Sequence, residues 1–205
     1  MASSSAINVA FATDSRYVDR VRLALHGLLT HAQRLVRVTI LHDGLDARER
    51  EAPLARCALH GATLRLLQVD TARLPVFPDR GSRAAYFRLL LPEMLPVDER
   101  KVLYLDADVL CRGDIGPMWD TDLGGFGVAA VREVNSRWSE NSRWPGAFRF
   151  RHAVRSLAAA DYFNSGVMLI NVEKWRTVNL ADSVLECQLS RSTAIPLTCL
   201  LGFRR

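Results

Sequence analysis

Asp106 and Asp108 stand two residues apart at the end of an apolar run, Val102–Leu105, within the segment KVLYLDADVLCRGD. β-Branched and aromatic residues in a short run bounded by charge predict a buried strand. If the chain stays extended through Asp108, side chains two apart share a face, and the two carboxylates converge. At ~5 Å and an effective dielectric of ~20 they repel by roughly 3 kcal/mol, a cost that a cation between them removes. Hard oxygen donors with open positions suit Mg²⁺ or Mn²⁺ that also holds phosphate. An isolated pair of this kind is more often an acidic turn in water, so the elements around it decide its meaning.

Those elements alternate. Ile7–Thr13 is a near-continuous apolar run, which predicts a buried strand, and Asp14 and Ser15 after it are candidate caps. Val18, Val21, Leu25, Leu28 and Leu29 recur at helical spacing, so Tyr17–Thr30 reads as an amphipathic helix. Val36–Leu41 is a second strand. Asp46–His60 is a helix that Pro53 kinks or restarts, and Thr63–Val69 is a third strand. Strand, helix, strand, helix, strand over the first 70 residues is the pattern of a doubly wound parallel sheet, with ligands at the carboxyl ends of the strands. Asp14, Asp43 and Asp70 each follow such an end; the last two read as turn or cap residues.

Asp70–Gly81 is a Pro-rich loop, and Ser82 caps a helix Arg83–Leu91 that Pro92 closes. After the central strand, Val109–Arg112 reads as a short strand, Pro117–Trp119 as a helical turn and Phe126–Val131 as a strand. Glu133–Ala160 is a long irregular stretch in which Arg137, Trp138, Arg143 and Trp144 interleave, suited to sugar stacking or to a lid. Phe163–Ile170 is a strand, and Val172–Trp175 and Leu180–Leu189 are helical. Ser190–Arg205 shows no amphipathic register.

The 205 residues, 49% apolar and 24% charged, fit a single globular domain, 1–205. The net charge of +5 comes from Arg scattered along the chain without a basic run, which argues against nucleic acid as a partner. It is compatible with an anionic small molecule or with loose contact at an anionic membrane. Cys57, Cys111, Cys187 and Cys199 show no metal-ligand spacing, and read as reduced thiols of a cytoplasmic protein. The start lacks the pattern of a signal peptide, and no apolar run reaches the ~18 residues of a membrane span.

Four segments in this order resemble the family 8 glycosyltransferases, which have the GT-A fold and include bacterial lipopolysaccharide galactosyl- and glucosyltransferases and, more distantly, glycogenin. They are INVAFATDSRY at 7–17, AAYFRLLLPEMLP at 84–96, KVLYLDADVLCRGDIGPMWDTDLG at 101–124 and DYFNSGVMLINVEKWR at 161–176. The resemblance implies a Rossmann-like mixed sheet flanked by helices. It also implies transfer of a hexose from a UDP-sugar donor to a glycan or lipid-linked acceptor hydroxyl with retention, using Mn²⁺ or Mg²⁺, at the cytoplasmic side of the inner membrane. By the same resemblance Ala12 and Asp14 hold uracil and ribose, and Tyr17 stacks on the base. Arg88 reaches toward the donor phosphates and sugar. Asp106 is shared between ribose and metal, and Asp108 is the principal metal ligand. Asn164, Ser165 and Gly166 lie beside the donor sugar, with Asn164 and Arg88 as the residues nearest the chemistry.

The pattern also departs from the family. Arg16 stands where the family often has Asn. The DQD-like element expected past Trp175 and a later metal-binding His in an HxxGxxKPW-like segment have no match, since all five histidines precede the NSG element. The expectation is therefore a C-terminally shortened member. Two other readings stay open: an inactive nucleotide-sugar-binding remnant of the family, and a phosphatase of the haloacid-dehalogenase type with Asp106 as nucleophile. Val109 and Leu110, where that phosphatase would have Thr or Gly-Thr, weigh against the last.

Overall fold

The computed structural model describes residues 6–74, 83–132, 163–179 and 181–182. Six strands form one mixed sheet: β1 (Ile7–Thr13), β2 (Val36–His42), β3 (Thr63–Gln68), β4 (Lys101–Leu105), β5 (Val128–Arg132) and β6 (Phe163–Asn171), in the order β3-β2-β1-β4-β6-β5. β3, β2, β1 and β4 run parallel, and β6 lies antiparallel between β4 and β5. The chain steps outward from β1 to β2 and β3, then returns to place β4 on β1's other side. In open sheets of this kind such a reversal is where ligands bind, here at the carboxyl ends of β1 and β4.

Alternation along the strands divides the core into two layers. Val9, Phe11, Leu103 and Leu105 point to one face, where Val21, Leu25 and Leu28 of α1 (Val18–His31) and Cys57 of α2 (Ala47–Leu59) cover them. Ala10, Ala12, Val102 and Tyr104 point to the other. Phe87 of α3 (Ala84–Phe87), Leu91 of α4 (Leu91–Met94), and Val172 and Trp175 of α6 (Val172–Thr177) pack there. A further helical turn, α5 (Gly116–Trp119), adds the buried Trp119 to the first layer.

Several sequence expectations change. Neither Asp14 nor Ser15 caps α1: its N-cap is Tyr17, without a side-chain bond. α2 does not restart at Pro53. A capping box between Asp46 and Glu49 secures its first turn, so Pro53 costs one bond inside a continuous helix. Pro92 does not close the third helical segment. A 3₁₀ turn at Arg88–Leu90 lets the Leu91 amide bond to the Arg88 carbonyl, which Pro92 has no N–H to reach, and helix resumes to Met94. Val109–Arg112 is not a strand. The expected strand at Phe126 begins instead at Val128, after Gly124 and Gly125 turn the chain with positive φ.

Asp43 sits exposed in the turn after β2. Asp70 caps the 3₁₀ turn Thr71–Arg73, accepting from the Ala72 amide at 2.9 Å. Cys57 and Cys111 are free thiols, whereas Cys187 and Cys199 lie outside the described residues. Also outside them are most of the Pro-rich loop with Ser82, the Arg- and Trp-rich stretch Glu133–Ala160, most of Leu180–Leu189, and the tail from Ser190.

Candidate active site at the carboxyl ends of β1 and β4

β4 ends at Leu105, one residue before the acidic pair. Asp106 still donates its amide to the Gly166 carbonyl of β6 at 2.8 Å, but its own carbonyl then accepts from the Val109 amide at 3.1 Å. Asp106–Val109 is therefore a turn, and the extended geometry expected from the sequence stops at Asp106. The charges of Asp106 and Asp108 both reach the Tyr104 phenol. Burial first, then these carboxylates and the hydrogen bond to Asp106, raise the Tyr104 pKa far above its ordinary value, against the opposing pull of Arg88.

The two oxygens of Asp106 have different surroundings. Oδ1 accepts from Arg88 Nη2 and from the Tyr104 hydroxyl, each at 2.8 Å, while Oδ2 has no hydrogen-bond partner among the described residues. Arg88 is buried, and each of its nitrogens is engaged: Nε on the Ala85 carbonyl, Nη1 on the Ser165 carbonyl at 2.6 Å, Nη2 on Asp106. Its guanidinium carbon lies 4.5 Å from the centre of the Tyr104 ring. The carboxylate of Asp108 is exposed and also free of partners among the described residues.

The NSG element belongs to a local break in the sheet. β5 pairs Ala130 with Met168 and then Val131 with Asn164, so Ser165, Gly166 and Val167 are left out of the β5 ladder. Such irregularities re-aim side chains beside functional sites. Here the Asn164 side-chain carbonyl turns back onto the Gly166 amide at 2.7 Å, leaving its amide nitrogen without a partner among the described residues. A Cβ on Gly166 would stand 2.9 Å from both Asn164 Oδ1 and Asp106 Oδ2, so any larger residue would have to displace these two side chains.

On the neighbouring strand, Ala12, Thr13 and Asp14 are buried at the end of β1. Asp14 is clasped by its neighbour: Oδ1 accepts the Arg16 amide at 3.0 Å, and Oδ2 accepts Arg16 Nε at 3.2 Å and Nη2 at 2.9 Å. That hydrogen bond, with the charge of Asp14, raises the pKa of the exposed Arg16. Tyr17 is half-buried, with the Arg20 guanidinium 4.5 Å from its ring centre.

The fold thus gathers Arg88, Asp106, Asn164, Ser165 and Gly166 into one bonded cluster, with Asp108 beside it. Ala12 and Asp14 lie on the neighbouring strand end, and Tyr17 one turn beyond. Sequence reasoning passed over Tyr104 as strand packing. The signal was there: a phenol two residues before a carboxylate on a buried strand needs a partner on the same face. Among the described residues no three His, Cys, Asp or Glu side chains gather as a metal cage. Asp106 Oδ2 and Asp108 still fit a divalent cation as two open, hard oxygen donors, the remaining positions being left to ligand and water.

The model of the family described as "Glycosyl transferase family 8" matches residues 8–199. The chain belongs to glycosyltransferase family 8. Among this family-8 chain's relatives is the lipopolysaccharide 1,2-glucosyltransferase of Escherichia coli, 28% identical over 200 residues, which are 92% of this chain and 54% of the relative. The lipopolysaccharide 1,3-galactosyltransferase of Salmonella typhimurium is 24% identical over 87% of this chain and 52% of its own length. The family-8 chain therefore spans about half the length of these transferases. Its fold is that of galactosyltransferase LgtC, solved in complex with donor and acceptor sugar analogues: TM-score 0.76 at 28% identity, over 96% of this chain and 70% of the other.

Proposed function

We propose that this family-8 chain moves a hexose from a UDP-linked donor to an acceptor hydroxyl, with retention at the anomeric carbon and with a divalent cation held by Asp106 and Asp108. The observation that carries the reading is the pair of uncommitted acidic oxygen donors at the mouth of β4, facing the end of β1 where the sheet reverses direction. When bound, the cation neutralises charge growing on the diphosphate leaving group. The protein's own groups orient. Asp14 and Ala12 face the nucleoside, Tyr17 offers a ring to the base, and Asn164 turns an amide toward a sugar hydroxyl. Arg88 holds Asp106 in place and keeps positive charge beside the diphosphate.

In the transfer, the bond from the anomeric carbon to the β-phosphate oxygen breaks with its electron pair leaving on that oxygen. The acceptor oxygen bonds to the anomeric carbon from the same face, and its proton passes to a diphosphate oxygen, so no strong protein base is needed. The names of the relatives and the excess of Arg favour a lipopolysaccharide-type glycan acceptor at an anionic cytoplasmic membrane face. No helix among the described residues is long and apolar enough to cross a membrane.

Incubation with UDP-glucose or UDP-galactose and a lipopolysaccharide core acceptor tests this. The expected result is Mn²⁺-dependent release of UDP, blocked by EDTA, with an α-linked product by NMR. UDP binding without cleavage of either donor would favour a binding-only protein, and a phosphoenzyme trapped on Asp106 would replace the transferase reading altogether.

A further inference from the structure

The transfer just described makes no use of Tyr104. Its ring sits in the sheet between Ala10 of β1 and Met168 of β6 and is 1% exposed, as a purely structural core residue would be. Its hydroxyl, however, ends on Asp106 Oδ1 at 2.8 Å, the oxygen that Arg88 Nη2 also holds at 2.8 Å. The Arg88 guanidinium in turn lies against the Tyr104 ring. A carboxylate with one donor on one oxygen can rotate and exchange its two oxygens. Two donors converging on the same oxygen from different elements, β4 and the 3₁₀ turn before α4, fix its plane. The opposite oxygen, Oδ2, then points at the space beside the Gly166 α-carbon, where a Cβ would come within 2.9 Å.

We propose that Tyr104 is a positioning residue of the cation site: together with Arg88 its hydroxyl holds Asp106 Oδ1 inward, so that Oδ2 alone is presented beside Asp108. This rests on the cation–diphosphate reading above and adds to it a specific demand on a residue that touches neither cation nor donor. If Tyr104 only fills the core, phenylalanine serves as well.

Tyr104→Phe keeps the ring and removes one donor. UDP is titrated calorimetrically into wild type and variant, with Mn²⁺ and with EDTA, and free Mn²⁺ is followed by electron paramagnetic resonance. The expected result is an about 10-fold loss of the Mn²⁺-dependent gain in UDP affinity, the usual size for an outer-sphere partner of a metal ligand, with UDP affinity in EDTA unchanged. An unaltered Mn²⁺ dependence overturns the proposal, as does an equal fall with and without Mn²⁺. A wild type whose UDP affinity ignores Mn²⁺ removes the cation reading, and this proposal with it. Should the variant not fold, a crystal structure of the wild type with UDP and Mn²⁺ decides. Metal on Oδ2 with the phenol still on Oδ1 supports the assignment, and metal on Oδ1 contradicts it.

Discussion

Arg88 shows how much one side chain can hold together. It ties Asp106 at the end of β4 to the Ser165 carbonyl in the break of β6 and to its own helical turn, from a position 5% exposed. Removing it leaves the Ala85 and Ser165 carbonyls without their donor, and leaves Asp106, whose side chain is 31% exposed, to water, at about 1–3 kcal/mol. Arg88→Ala should lose that much stability in urea unfolding, and Arg88→Lys most of it, because one ammonium cannot span three acceptors in different directions. His42, at the end of β2, is 2% exposed, and its Nδ1 accepts from the Gly44 amide at 3.1 Å and the Leu45 amide at 3.2 Å. Burial, reinforced by Arg50, lowers its pKa from 6.5. The neutral ring is therefore the native form. Its contribution is complete above the unfolded value and is lost as pH falls below it through the lowered folded value. Unfolding measured from pH 8 to 5 should show stability declining on the acid side, with a flatter decline in His42→Asn, whose side-chain carbonyl can accept from the same amides. At this scale type and spacing single out Asp106 and Asp108 as candidates, and the family resemblance alone singles out Asn164 and Gly166; the structure brings Asp106, Asn164 and Gly166 together. Tyr104 and the Arg16 clasp on Asp14 were not legible, because a hydrogen bond is chosen by geometry that no spacing states.

Among elements, α1 and the segment after the acidic turn approach each other through Gly27. In an exposed helix alanine would gain about 1 kcal/mol over glycine. Here a Cβ would stand 2.7 Å from the Cys111 carbonyl oxygen and 2.8 Å from Leu110 Cδ1. The first of these is backbone, so the segment must shift. Gly27→Ala should destabilise by about 1–3 kcal/mol and, because that segment follows Asp108 directly, weaken Mn²⁺-dependent UDP binding as well. α6 is joined to the connection before β4 by Arg176, which donates to the carbonyls of Pro92, Leu95, Pro96, Val97 and Glu99 at 2.7–3.3 Å. Arg176→Lys should lower stability by roughly 2 kcal/mol in thermal or urea unfolding, without changing UDP affinity. The strands were readable because apolar runs bounded by charge leave little choice: β1 spans Ile7–Thr13 as expected, and β2 and β3 differ by one residue at an end. The turn at Asp106–Val109 was not readable, since in KVLYLDADVL apolar residues resume at Val109 and Leu110 with no Gly or Pro to mark where the backbone stops being a strand. The 3₁₀ turn before Pro92 was hidden for a related reason: a proline marks a missing donor, and not the neighbour that bonds in its place.

For the whole molecule, the order of strands and helices in the first 70 residues announced a doubly wound parallel sheet, and β1, β2, β3 and β4 follow that pattern. The antiparallel insertion of β6 does not, because a short apolar run carries no direction. What places the site is this arrangement: two strand ends meet where the sheet reverses, one bringing Asp14 and the other Asp106 and Asp108. A ligand spanning both ends should stabilise the fold as a unit. UDP with Mn²⁺ at about 100 times its dissociation constant should add about 2.7 kcal/mol, which for a chain of this size is a rise of roughly 5–10 °C in Tm; EDTA should remove the cation's share. The most direct measurement of the central claim is calorimetric titration of UDP in Mn²⁺ into Asp108→Ala, a variant that deletes an exposed carboxylate with no hydrogen bond among the described residues. The account predicts a folded protein with an unchanged thermal transition whose UDP affinity no longer responds to Mn²⁺. A variant that binds UDP in Mn²⁺ as tightly as the wild type would contradict it.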